Sequence, residues 1–166
     1  QNAPETKALP PPKPHKIFYC SRTHSQLNQV IEELRNTHID YSTDIKMCLL
    51  SSRAHTCIND KIKQQAKEGL DEACRAASKP DAKVRCHYAF AGVAKVVQAT
   101  KNKIWDIEDI VQIGKKLTGC PFLASREHLE NAEIVFAPYT YILTPSIRAN
   151  MQIDLTDTVV IFDEGK

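Results

Sequence analysis

Glycine is the first shortage. The 166 residues contain five, and none stands in the pattern G-x-x-x-x-G-K-[ST], whose backbone N–H groups cradle phosphates. Gly-Lys pairs occur at Gly114–Lys115 and Gly165–Lys166, each without the upstream glycine and the following hydroxyl. These residues alone therefore cannot hold a nucleotide in the P-loop manner, and any such cradle is expected upstream of Gln1. Long apolar runs are missing too: nothing approaches the roughly 18 residues of a membrane span. The opening QNAPETKALPPPKPHK lacks the apolar core of a signal peptide. Close cysteine pairs are also absent. The six cysteines, Cys20, Cys48, Cys57, Cys74, Cys86 and Cys120, are spread widely and irregularly, unlike the tight pairs usual at structural zinc. A chain of this length needs no staples, so these thiols fit a reducing compartment with some of them binding metal. Net charge is small at +2 and excludes no partner class.

Local charge says more. Residues 61 to 103 hold ten Lys or Arg against four Asp or Glu. A basic patch of this kind fits a polyanion partner, and it fits a solvated helical face as well. Apolar residues make up 42%, enough for one domain with a core or for a piece of a larger one. Residues 1–15 read as a flexible Pro-rich arm. KIFYC (16–20) predicts a strand, and Leu27, Val30, Ile31 and Leu34 then recur at helical spacing. IKMCLL (45–50) predicts a second strand. A helix is expected from a cap at Asn59 or Asp60 to about Ala77, a short one within CHYAFAGVAKVVQA, one from about Ile107 to Leu117, and another after Cys120–Pro121. AEIVFAPY (132–139) and DTVVIFDE (157–164) return to strands. The second is a near-continuous apolar run, as expected of a strand buried in a parallel sheet. The class is therefore α/β, a partial parallel sheet interrupted by a mostly helical, cysteine-bearing insert.

Within that insert, Cys57, Cys74, Cys86 and Cys120 each adjoin polar residues or Pro, as at helix ends and turns where thiolates can meet. Cys20 and Cys48 lie among strand residues and read as small buried apolar groups. Four thiolates suit tetrahedral zinc or a four-iron cluster; wide spacing leans to the bulkier cluster, and four unrelated buried cysteines are the plain alternative. Asp163 and Glu164 close the last apolar run. An acid at the carboxyl end of a buried parallel strand is where phosphate chemistry places its Mg²⁺ ligand and its water-activating group, although many strands end in acids.

A resemblance joins these features. FYCSRTHSQLNQVIEELRN (18–36), LSSRAHTC (50–57), CHYAF (86–90), WDIEDIVQIGKKLTGCPF (105–122), AEIVFAPYTYIL (132–143) and VVIFDE (159–164) resemble, in order, the motifs of XPD-like superfamily 2 DNA helicases with an iron–sulfur domain. The long 105–122 stretch leans toward the Fanconi-anaemia-associated and telomere-length-regulator branch. The resemblance implies a RecA-like motor domain 1 at 16–50 and 125–166, ending at the DEAH-box position, and an iron–sulfur domain at 51–124. It implies a [4Fe–4S] cluster on Cys57, Cys74, Cys86 and Cys120. It implies strand-DNA contacts at Ser21, Arg22, Thr23, His24 and Gln26, with Arg22 on a phosphate. Asp163 would hold Mg²⁺ through water and Glu164 would be the catalytic acid. Implied for the parent are ATP-dependent 5′–3′ unwinding, single-stranded and forked DNA as partners along with the rest of the motor and repair-complex proteins, no membrane, and a nuclear location. This chain alone is expected to be inactive. Gly165 and Lys166 depart from the Ala-His that completes the box. A rival reading is a non-enzymatic nucleic-acid-binding module stabilised by zinc or a cluster.

Overall fold

The computed structural model describes residues 16–37, 45–66, 69–90 and 92–163. The arm 1–15, Lys67, Glu68, Glu164, Gly165 and Lys166 lie outside the described residues. Four parallel strands, β1 (Lys16–Ser21), β2 (Met47–Leu49), β3 (Ile134–Pro138) and β4 (Thr158–Phe162), form one sheet in the order β2-β3-β1-β4. Side chains alternate between its faces, as the two-residue strand period dictates. Phe18, Cys20, Cys48, Val135 and Ala137 build one core with Leu129, Ile142 and Ile153. Met47, Leu49 and Phe136 point into a second core, with Tyr19 and Ile134 packed at its margin.

Helix α1 (His24–Asn36) covers that second face through Leu27 and Ile31. It starts at Thr23 because a capping box closes there: Gln26 N–H donates to Thr23 Oγ1 (3.3 Å) and Thr23 N–H donates to Gln26 Oε1 (3.2 Å). Between β2 and β3 the chain runs through α2 (Arg53–Thr56), α3 (Asp60–Gln65), α4 (Leu70–Ala77), a 3-10 turn (His87–Ala89), α5 (Val93–Thr100), α6 (Ile107–Leu117) and α7 (Pro121–Asn131). Short helices α8 (Tyr139–Leu143) and α9 (Pro145–Asn150) lead from β3 toward β4.

The helix predicted from residue 59 to about 77 is two helices. Asn59 does cap the first, accepting from Ile62 N–H at 3.2 Å. Gly69, at φ +113, precedes the second in a conformation that a side chain rarely adopts. The second correction concerns β4. The apolar run was expected to be buried, yet Val159, Ile161 and Phe162 are all more than 40% exposed. Among the described residues β4 pairs only with β1, so one edge and much of each face lack a neighbour. Four apolar residues in a row report β propensity and cannot say what covers them.

The middle segment divides by packing. Val96 of α5, Ile110 of α6 and Trp105 between them join the sheet's second core. Arg35 of α1 fastens α6 there, bridging Asp106 (3.4 Å) and Asp109 at its N-terminus. Residues 57–90 instead share a satellite core of Ile62, Ala77 and Cys86. Helix α7 serves both: Cys120 starts it beside the satellite, while Ala124 and Leu129 enter the sheet's cores.

Candidate metal centre and nucleic-acid interface

Four elements deliver the four insert thiols to one cavity. Cys57 ends α2, its N–H bonded to Arg53 C=O at 2.8 Å. Cys74 lies in α4. Cys86 is tied back to α4 by its N–H on Ala77 C=O (2.9 Å). Cys120 caps α7 ahead of Pro121, its N–H on Tyr88 C=O (2.9 Å). That last junction needs glycine: a Cβ on Gly119 would collide with the Gly92 carbonyl, and one on Gly92 with Thr118 and Gly119 backbone. Cys57, Cys74, Cys86 and Cys120 all line one small cavity of about 20 Å³, along with Arg53, Asn59, Ile62, Tyr88 and Phe122. Among the described residues no three His, Cys, Asp or Glu side chains close on a single ion-sized point. The sulfurs stand around the space instead.

Cys57 and Cys120 differ from Cys20 and Cys48 in having other thiols beside them. Burial first, then the neighbouring Cys74 and Cys86, raises the Cys57 thiol, against a hydrogen bond at Asn59. Burial pushes Cys120 up to about 11, with Cys74 and Cys86 adding to it and the N–H groups of Leu123 and Phe122 opposing. Cys20 is pushed up to about 11 and Cys48 to about 12 by burial, with no other thiol contributing. Cys86 Sγ already accepts from Asn59 Nδ2 at 3.2 Å.

Arg53 bears on the cavity in a second way. Its guanidinium lies over the Phe122 ring at 4.0 Å and reaches Asp71 at 3.1 Å, but its Nε is buried with no acceptor among the described residues. A buried donor without a partner costs about 1–3 kcal/mol. A sulfur-rich anionic group in the cavity would supply the missing acceptor. The donor set of four thiols plus this N–H thus fits an iron–sulfur cluster.

Beside it runs a groove whose lining includes Arg53, Arg75, Arg126, Phe122 and Tyr141, and also Asp71, which pairs with Arg53. Arg126 approaches the Phe122 ring at 6.0 Å, so two cations flank one aromatic ring. Nothing in the sequence reading singled out these residues. Phe122 and Arg126 stand four apart on α7 and so share a face, which is a visible hint; Arg53 arrives from a distant segment and is not. The basic members between residues 61 and 103 that lie on described positions are exposed. Trp105 and Tyr88 are packing residues: Trp105 is 2% exposed in the second core and Tyr88 flanks the satellite. Phe90 is 47% exposed, under the Arg85 guanidinium at 4.4 Å.

The SRTH segment leaves the carboxyl end of β1. Ser21 is fully buried, donating to Gln26 Oε1 at 2.9 Å, and Thr23 and Gln26 close the α1 cap. Arg22 is exposed. His24 meets His55 of α2 with ring centroids 4.6 Å apart. Burial, then the His55 charge, lowers its pKa to about 4. Asp163 emerges on the neighbouring strand at the same edge, its N–H on Cys20 C=O at 2.8 Å. Glu164 lies outside the described residues. The two motifs therefore share one sheet edge, at which Ser21, Thr23 and Gln26 are occupied with local structure.

A family model described as DEAD_2 matches residues 19–166. The chain belongs to the DEAD_2 family. Regulator of telomere elongation helicase 1 of Homo sapiens is 44% identical over 152 residues, covering 90% of this chain and 12% of that protein. The Fanconi anemia group J protein homolog of Gallus gallus is 41% identical over 157 residues, again 90% and 12%. The chain thus spans about an eighth of the length of these curated relatives. A solved XPD helicase superposes over 92% of this chain and 24% of its own, with TM-score 0.57 and 15% identity, which shows a shared fold. This DEAD_2 chain is accordingly an XPD-like helicase segment with an α/β sheet, as its motif order implied. Among the described residues no helix is long and apolar enough to cross a membrane.

Proposed function

We propose that this segment carries the [4Fe–4S] cluster and one wall of the single-stranded DNA path of an ATP-dependent 5′–3′ DNA helicase. The observation that carries the reading is the convergence of Cys57, Cys74, Cys86 and Cys120, from four separate elements, on the lining of one cavity. Four thiols on one cavity suit tetrahedral zinc or a four-iron cluster, and the order of motifs shared with iron–sulfur helicases favours the cluster. When bound, the cluster contributes folding free energy to a satellite with little apolar core. Motif order sets the motor at residues 16–50 and 125–166, the cluster domain at 51–124 and a Pro-rich tether before them; within 51–124, α5, α6 and Trp105 pack on the motor's sheet.

This chain's residues divide the remaining work. Arg53, Arg75 and Arg126 hold backbone phosphates in the groove, a contact that weakens as salt rises through counterion release. Arg22 adds a phosphate contact that positions the strand without reading its sequence. Asp163 holds Mg²⁺ through water and Glu164 orients the attacking water; the phosphate cradle comes from another part of the parent. The names of the relatives support work on chromosome ends and in DNA repair, a nuclear location, and repair-complex partners.

Iron and acid-labile sulfide are measured after anaerobic purification. Near four of each per chain, with broad visible absorption, is the expected result. Colourless protein holding one zinc would replace this reading with a zinc-stabilised nucleic-acid-binding module.

A further inference from the structure

Asn59 stands between two of the four thiols. It is 8% exposed and lines the cysteine cavity. Its side-chain oxygen is already taken: Asn59 Oδ1 accepts from Ile62 N–H at 3.2 Å and so starts α3. That bond fixes which way the amide faces, because only the oxygen can accept from the helix and the nitrogen must then point away. The nitrogen meets Cys86, with Nδ2 donating to Sγ at 3.2 Å. The backbone of Asn59 serves the other side. Its C=O accepts from Lys63 N–H at 3.1 Å and lies 3.9 Å from Cys57 Sγ. One buried residue thus touches both sulfurs while it holds a helix end in place.

We infer that Asn59 is a positioning residue of the metal centre, whose side-chain N–H aims the Cys86 sulfur and offsets the negative charge that this sulfur carries as a ligand. The inference rests on the reading of the four cysteines as cluster ligands. A ligating sulfur is a thiolate, and Cys86 is 7% exposed, so water solvates little of its charge. A buried charge needs a hydrogen-bonding partner. A primary amide suits this place, because it donates without adding a charge, and its oxygen is turned into the cap and away from the metal. Hydrogen bonds to the sulfurs are among the features that set a cluster's potential. Removing this donor would leave the sulfur more negative and disfavour an added electron. In the sequence Asn59 shows only its cap role, since the sulfur it holds lies 27 residues further on.

Two variants separate the cap from the donor. Serine caps a helix about as well as asparagine, but it is neutral and too short to reach Cys86, so Asn59→Ser keeps the first role and loses the second. Asn59→Ala loses both. In anaerobically purified chain, Asn59→Ser should lose iron to the ferrous chelator bathophenanthroline about 10-fold faster than the parent sequence, the scale of lost supporting contacts at metal sites. Its midpoint potential, read by a redox titration followed by electron paramagnetic resonance, should move to a more negative value. Amide exchange across α3, measured in the loaded chain before chelator is added, should stay unchanged in Asn59→Ser and quicken in Asn59→Ala. Iron release and potential both unchanged in Asn59→Ser would overturn the inference and leave Asn59 a helix cap alone. Faster release accompanied by equally faster α3 exchange in Asn59→Ser would also overturn it, because the effect would then pass through the helix. Unsubstituted chain that holds neither iron nor sulfide would instead overturn the cluster reading, and this inference with it.

Discussion

The sheet body and the thiol satellite are held together by different physics. On its two faces the sheet buries Phe18, Leu27, Ile31, Val96, Trp105, Val135 and Phe136 almost completely. At about 25 cal/mol per Å² of apolar surface, such residues account for a body that stands on its own core. The satellite offers Ile62 and Ala77, and its third buried member is Cys86 itself. Between its helices come Gly69 at positive φ and the Ser78–Lys83 turn, which add conformational entropy to be overcome. In a region this thin, a metal group held by the thiols would contribute folding free energy directly.

The largest effect should come from Cys86→Ser. It replaces the thiol proposed as one ligand, and the sulfur acceptor of Asn59 Nδ2, with a hydroxyl, and it leaves the apolar cores of the sheet untouched. Iron content should collapse, and amide protection across residues 57–90 should fall by at least about 100-fold, beyond what losing a mere supporting contact costs a metal site. Strands β1 and β3 should keep their protection. Hydrogen exchange read by mass spectrometry checks both halves. Equal loss in satellite and strands would mean one cooperative unit, and the contrast between the regions would fail.

Trp105→Ala probes the opposite side and should cost about 3–5 kcal/mol, the usual penalty for emptying a buried aromatic site. Trp105 lies between α5 and α6, within the segment that the sequence grouped with the insert, but its neighbours are Met47, Leu49 and Phe136 of the sheet. Denaturant unfolding followed through the sheet should show the loss, while visible absorption of the bound cluster persists in the folded protein. If absorption disappears at denaturant concentrations where the sheet is intact, Trp105 belongs to the satellite's stability and the boundary drawn here is misplaced.

How much of this could be read beforehand depends on the reach of each signal. Helix α6 was legible to the residue, because Asp106 caps it and Ile107 and Ile110 repeat at helical spacing within eleven residues. The parallel strands were legible from short apolar runs. Helices α2, α8 and α9, of four to six residues, are too short for a period to register. The exposure of β4 is a fact about neighbours, which no run of apolar residues encodes. For the thiols, spacing left zinc, cluster and chance burial all open; only the ordered motifs narrowed the choice, and the convergence on one cavity became visible in three dimensions. The Arg53–Phe122–Arg126 stack was beyond reach because its members come from α2 and α7, and the insert lies between them.

The smallest effect sits where the two regions touch. His24 belongs to α1 on the sheet and His55 to α2 at the start of the satellite, and their rings meet. In the folded chain the His24 pKa is lowered to about 4, by burial first and by the His55 charge second, against an ordinary value of about 6.5. Between those values the unfolded chain binds a proton that the folded chain refuses. Stability from this group is therefore complete above about pH 6.5 and drains away as pH falls toward 4. Urea midpoints measured from pH 7 to pH 4.5 should decline, and His24→Gln should flatten part of that decline. His55→Gln should flatten less, because it removes the second cause and leaves the first. If His55→Gln flattened the slope as much as His24→Gln, the junction would be governed by charge between the regions, and the burial of His24 against the sheet would count for little.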